Sequence, residues 1–284
     1  RMLYIDNWGR ADTEGSVAVR AFENFLSPGY LNRVKTTDVD EELSRLSQAI
    51  NDTGVLPDRA RKYFSVDGEN YAMTQEEYQA HLIERGQRSY SLLNSMIHSA
   101  TYANMSDAER AEAVAYAYEY ASDLAKVHTT SAYSPSSKWV EKLYDYEQSG
   151  GDAAEYLMLR GMAQVSGKSL TETVLDSNIS GIGDTERAQI IFLETTMPES
   201  FTDPYTKGHE YVLDTDQQRV FSETYLADLQ RSFLELTSSQ EYGAADVATR
   251  YELVKDMKAD VNARTKREIS NWLYSRGISP TKKP

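Results

Sequence analysis

Four histidines, His81, His98, His128 and His209, are the first residues to weigh for chemistry in this 284-residue chain. They stand far apart, and none shows the His-Glu-x-x-His spacing that puts two zinc ligands on one helix face. Cysteine is absent, which removes thiolate nucleophiles, disulfides and Cys-ligated metals and fits a reducing compartment. Gly181-Ile182-Gly183 lacks the third glycine, the following Lys-Ser/Thr and the preceding strand of a phosphate loop. No Gly-x-Ser-x-Gly elbow occurs, so nothing marks a serine hydrolase.

One stretch resembles a metal loop in outline. Asp176, Asn178 and Ser180 alternate before Gly181, as at the start of a calcium loop, where alternate side chains point at one hard cation. Asp184 would take the ninth position. The twelfth is Arg187 rather than a bidentate Glu, with Glu186 one place early, and Gly183 stands where a hydrophobic residue locks such loops. The plainer reading is a helix–turn–helix connection with Asp184 capping the second helix. Acid pairs such as Glu76/Glu77 and Glu109/Glu112 could serve as acid and base. With 44 carboxylates in the chain, such pairs arise without purpose. No catalytic residue and no cofactor is assigned.

The formal charge of −14 repels phosphate backbones and argues against general nucleic-acid binding. The C-terminal end is the exception, with Arg264, Lys266, Arg267, Arg276, Lys282 and Lys283. It reads first as helix-end complementarity plus a soluble tail, and any nucleic-acid contact would be local to it. The twenty tyrosines point elsewhere. Tyr116, Tyr118 and Tyr120 alternate on one helix and cannot share a face. Tyr118 is expected inside, while Tyr116 and Tyr120 flank the buried strip or meet a neighbouring subunit; Tyr4 and Trp8 are further interface candidates. No run approaches the roughly 20 apolar residues that span a bilayer. The opening RMLYIDNWGRADTEG has no apolar signal core, and its lack of a first Met reads as a piece or processed product of a longer chain.

The elements that position these residues are helices. Ala, Glu, Leu, Arg and Gln are abundant and Val/Ile runs are few. From Tyr71 to Lys126 the spacing predicts two helices around a tight connection, Ser99–Asp107. Thr74/Glu77 and Ser106/Glu109 are capping boxes at the two helix starts. Tyr78, Leu82, Tyr90, Leu93 and Ile97 form the first apolar stripe; Val114, Ala117, Tyr118, Ala121 and Leu124 form the second. An offset of 140 carries Gly68, Tyr71, Ser99, Tyr102, Arg110, Glu112, Val114 and Lys126 onto Gly208, Tyr211, Ser239, Tyr242, Arg250, Glu252, Val254 and Lys266. Between the turns, Tyr78, Leu82, Tyr90 and Leu93 align about one helical turn further on, with Phe221, Tyr225, Phe233 and Leu236. The ordered agreement of turn, helix and connection indicates a duplicated unit.

The expected fold is therefore all-α, a multi-helix bundle built on two related helical hairpins with a helical middle section and small β-turn connectors. Its expected parts are an N-terminal anchor with short helices (1–56), a first hairpin unit (57–134), a middle section (135–197) and a second hairpin unit with the basic end (198–284). The middle helices are expected at about 137–148, 152–166, 169–177 and 182–197.

The runs Asn24-Phe25-Leu26-Ser27-Pro28-Gly29-Tyr30, Asp38-Val39-Asp40-Glu41-Glu42-Leu43 and Gly54-Val55-Leu56-Pro57 form a recognisable series. Met73-Thr74-Gln75-Glu76-Glu77-Tyr78, Gly86-Gln87 and the stretch from Tyr102 to Arg110 extend it. Together they resemble the helical C-terminal regions of large tailed-phage virion proteins, the tape-measure-like and large polyvalent proteins. The resemblance covers residues 20–130 and, more thinly, 198–270. It implies a non-enzymatic virion protein, resident in the host cytoplasm during assembly, that packs on portal, tail or internal proteins or on copies of itself. The long coiled coil of a measuring rod is missing, so the chain would be an end domain. Two other classes stay open. One is a cell-wall-cleaving or nucleotide-modifying helical enzyme with a carboxylate such as Glu77 or Glu109 in a cleft; the other is a soluble helical adaptor.

Overall fold

The computed structural model describes residues 63–66, 69–72, 75–129, 138–176 and 182–282. The N-terminal elements expected over 1–56, with Tyr4 and Trp8, lie outside the described residues, as does Thr74. The chain divides into two compact units between Lys168 and Ser169. Among the described residues there are ten helices and five short strands, and no helix is long and apolar enough to cross a membrane.

In the first unit, strands β1 (Tyr63–Val66) and β2 (Glu69–Ala72) pair antiparallel. They lead into α1 (Gln75–Ile97), the short α2 (Ala100–Asn104) and α3 (Asp107–Thr129). Ser106 and Glu109 form the expected reciprocal cap: Glu109 Oε2 accepts from Ser106 N at 2.7 Å and from Ser106 Oγ at 2.8 Å. The α3 stripe is buried as its spacing requires, Val114, Ala117, Tyr118, Ala121 and Leu124 all lying inside. The α1 stripe differs. Tyr90 is 40% exposed, and the buried line runs instead through His81, Arg85, Ser89, Leu93 and Met96. Then come α4 (Lys138–Gln148) and α5 (Ala153–Ser166). Helix α5 is itself rich in alanine, leucine and methionine, is buried on nearly every side and packs against both α1 and α3. Gly161 lets it approach α3 backbone to backbone.

The second unit begins with α6 (Leu170–Val174), capped by Ser169 and Glu172, and α7 (Asp184–Leu193). The middle section is thus shared: α4 and α5 belong to the first unit, α6 and α7 to the second. Helix α7 ends before the expected Met197, consistent with the bias against helical backbone just before Pro198. Strands β3 (Ser200–Thr202), β4 (His209–Val212) and β5 (Thr281–Lys282) form a small sheet in the order β3-β4-β5. Gly208, at φ +76°, supplies the left-handed turn between β3 and β4. Helices α8 (Thr215–Thr237), α9 (Gln240–Ala244) and α10 (Val247–Ser275) follow. Phe201, Tyr211 and Phe221 join sheet to helix, with ring centroids 5.4 and 5.7 Å from Phe201.

The two hairpins are the same object twice. Helices 75–97, 100–104 and the start at 107 recur at 215–237, 240–244 and 247, each displaced by 140 residues. The joint repeats down to single bonds. Ser99 and Ser239 cap the short helices through their hydroxyls. Arg110 Nε donates to Tyr102 O at 3.2 Å, and Arg250 Nε donates to Tyr242 O at 3.2 Å. Each guanidinium also lies over its tyrosine ring, at 4.8 and 5.0 Å. The one-turn shift expected inside the first helix is corrected: the offset stays at 140, so Phe221, Tyr225, Leu229 and Phe233 correspond to His81, Arg85, Ser89 and Leu93. All eight side chains are buried. The first copy is polar at three positions where the second is apolar.

Candidate functional site

The hairpins differ in what covers them. In the first, Leu92 and Met96 on α1 and Ala117, Tyr120 and Leu124 on α3 are buried on the side where α5 packs. Each has a counterpart on the second hairpin, namely Ser232, Leu236, Met257, Asp260 and Arg264. Here the groove is open, with a volume of about 520 Å³, and is lined also by Asp228, Arg231 and Glu235. A smaller groove of about 300 Å³ survives on the first hairpin beside Arg88, the counterpart of Asp228, where Glu147 from α4 closes it. The charges are exchanged between the copies. Arg88 Nη1 donates to Glu147 Oε2 at 3.0 Å, whereas Asp228, 7% exposed, accepts from Arg264 Nε at 2.8 Å and is also bonded by Arg231. Among the described residues no helix covers the second hairpin here, and its own Arg231 and Arg264 satisfy the buried charge.

The tyrosines expected at an interface take part in this covering. Tyr120 is fully buried, which corrects its placement at the edge of the strip. Its hydroxyl donates to Glu147 Oε2 at 2.8 Å. Burial raises its pKa strongly, and the adjacent Glu147 carboxylate adds to the rise. Tyr116 is half-buried. Trp139 of α4 meets Tyr116 edge-on at 6.1 Å and lies 6.2 Å from Tyr120. Arg160 of α5 sits between the rings, 4.9 Å from Tyr116 and 4.5 Å from Trp139. Tyr116, Trp139 and Arg160 thus form the seam that seals α4 and α5 onto the hairpin. Glu119 stands nearby, half-buried; burial raises its pKa and Asp123 adds to this, while Arg160 and Lys126 oppose it.

Other sequence candidates have structural employment. Asp184 is the first residue of α7, not its cap; the cap position is Gly183. The Asp184 carboxylate accepts from Thr237 Oγ1 at 2.9 Å, tying α7 to the joint of the second hairpin. Arg187 donates to the carbonyls of Ile182 and Val174, so a guanidinium closes the loop that a calcium reading would close with a carboxylate. Asn178 and Ser180 lie outside the described residues, and no three metal-ligating side chains converge among the described residues. Glu109 is held in its cap, and Glu77 stands at the far end of the hairpin, roughly 30 Å away at 1.5 Å rise per residue. Of the basic residues, Arg264 is bound by Asp228 and Ser232, and Arg267 donates to Ala263 O. Lys266 is half-buried, Lys282 is exposed in β5, and Lys283 lies outside the described residues.

No protein-family model, no curated protein and no solved structure matches the chain.

Proposed function

We propose that this chain is a non-enzymatic structural protein of a tailed-phage particle, working through helix packing against other virion proteins or copies of itself. The observation that carries the reading is the pair of equivalent grooves: one filled by α4 and α5, its twin open. A hairpin that already grips two helices in one copy is a unit built for gripping, and the open copy has the polar lining a surface needs before its partner arrives. Motif resemblance to tape-measure-like and polyvalent virion proteins supplies the particle, with the host cytoplasm as the place of assembly. Mass spectrometry of density-purified particles tests it. The expected result is this chain at a fixed ratio to the portal protein; its absence from particles ends the proposal.

A further inference from the structure

The geometry points to a single-stranded nucleic-acid contact on the second unit, where the end of α10 meets the small sheet. This goes beyond the virion reading and does not rest on it. Two tyrosines there are far more exposed than core packing explains: Tyr205, in the β3–β4 turn, is 60% exposed and Tyr274, in the last turn of α10, is 73% exposed. They belong to one surface. Asn271 Nδ2 donates to the Tyr205 hydroxyl at 3.3 Å, and Tyr274 follows Asn271 by one helical turn, a rise of about 4.5 Å. Ile278, 36% exposed, continues the patch, its amide donating to Leu273 O at 3.1 Å.

The charge around these rings has the sign a phosphate backbone requires. Lys207 lies exposed in the same turn as Tyr205. Lys282 is exposed opposite His209 in the β4–β5 pair, and Arg276, stacked on Trp272 at 4.5 Å, follows Tyr274 by two residues. Residues 264–284 hold six of the chain's 30 Lys and Arg and only one of its 44 carboxylates. The acids nearest by connection are Asp203, buried and bonded to Ser270, Glu210, half-buried in β4, and Glu268, exposed on α10.

Exposed rings spaced along a cationic strip stack unpaired bases without regard to sequence. A duplex hides its base faces, and its denser charge meets the repulsion of the −14 chain. An acidic protein partner would use the same cations and rings, since tyrosine also serves protein interfaces, and it is one outcome of the test below. The platform is rigid where it must be. Asp203 fixes the turn to α10, accepting from Ser270 Oγ at 2.7 Å and from the turn's own amides.

Fluorescence anisotropy of a fluorescein-labelled twenty-nucleotide oligothymidylate against the whole 284-residue chain at low salt tests this. Saturable binding is expected, falling as salt rises and at least about tenfold weaker to the matched duplex. Y205A/Y274A should lose about tenfold or more, Y205F/Y274F should keep binding because the rings remain, and K207E/K282E should weaken it and flatten the salt dependence. Circular dichroism checks that each variant folds. No binding, equal binding to the duplex, or binding indifferent to Y205A/Y274A overturns the inference. So does binding of a fluorescein-labelled poly-glutamate without binding of the oligonucleotide, which would mark a protein dock.

Discussion

A glycine in each unit allows one substitution to be tried in two environments with opposite expected signs. An ideal Cβ on Gly161 of α5 would lie 2.7 Å from Ala113 N, 2.9 Å from Glu109 O and 3.0 Å from Ala113 Cα. All three are backbone atoms of α3, so no flexible side chain can move aside. Reaching ordinary contact at 3.4 Å means separating α5 from α3 by several tenths of an ångström. Such overpacking costs about 1–3 kcal/mol, against a gain of about 1 kcal/mol in helix propensity on replacing Gly by Ala. Gly161→Ala should therefore lower stability by about 1–2 kcal/mol at the upper part of that range. Gly243 of α9 has nothing within 4 Å of its Cβ position, so Gly243→Ala keeps only the propensity gain and should stabilise by about 0.5–1 kcal/mol. Urea unfolding followed by circular dichroism measures both, and hydrogen exchange locates the loss, which should fall in α3 and α5. A Gly161→Ala chain as stable as the parent would refute the claim of backbone-to-backbone packing at this crossing.

The repeated joint should respond alike in both copies: Arg110→Ala and Arg250→Ala each remove two carbonyl contacts and a ring contact, and each should cost about 1–2 kcal/mol by chemical denaturation. Tyr120→Phe leaves the Arg88–Glu147 pair in place but deletes the hydroxyl donor, for an expected loss of about 1 kcal/mol in the same assay. Burial alone would raise the pKa of Asp203, yet bonds from Ser270, Thr206 and backbone amides hold it below the ordinary 3.8. Its folded value is therefore depressed, so its contribution is present above the unfolded pKa and fades as pH falls through the folded one. Asp203→Asn should destabilise the chain by about 1–3 kcal/mol at neutral pH, and the gap to the parent should narrow below about pH 4 in denaturation series.

What the sequence made legible was local. Caps and turns sit within three or four residues of one another, so the Ser106 cap and the Ser-x-x-Tyr connections that begin at Ser99 and Ser239 could be read without knowing the rest of the fold. The all-α class and the duplication followed from them. The inner face of α1 was not legible. Hydropathy assigned Tyr90 to the core, while the buried positions hold His81, Arg85 and Ser89, which no apolar stripe reveals. Alignment to the apolar twin then slipped by a turn for the same reason. Tyr120 was hidden by distance: the helices that bury it begin 18 residues further on, at Lys138, and nothing near Tyr120 announces them. The two-residue β5 and the five-residue helices α2 and α9 are set by tertiary packing and are too short to carry a period of their own.

On the proposed function, another polypeptide inside the particle holds the open groove of the second hairpin. A photoreactive benzoylphenylalanine in place of Asp260, exposed on the groove wall, tests this when particles carrying it are purified and irradiated. A cross-link from this position to a separate virion chain is expected, and none from the same probe at an exposed α10 position away from the groove, such as Lys255. Irradiated particles in which the probe at position 260 forms no cross-link to another chain, while the chain is present at full amount, would contradict it.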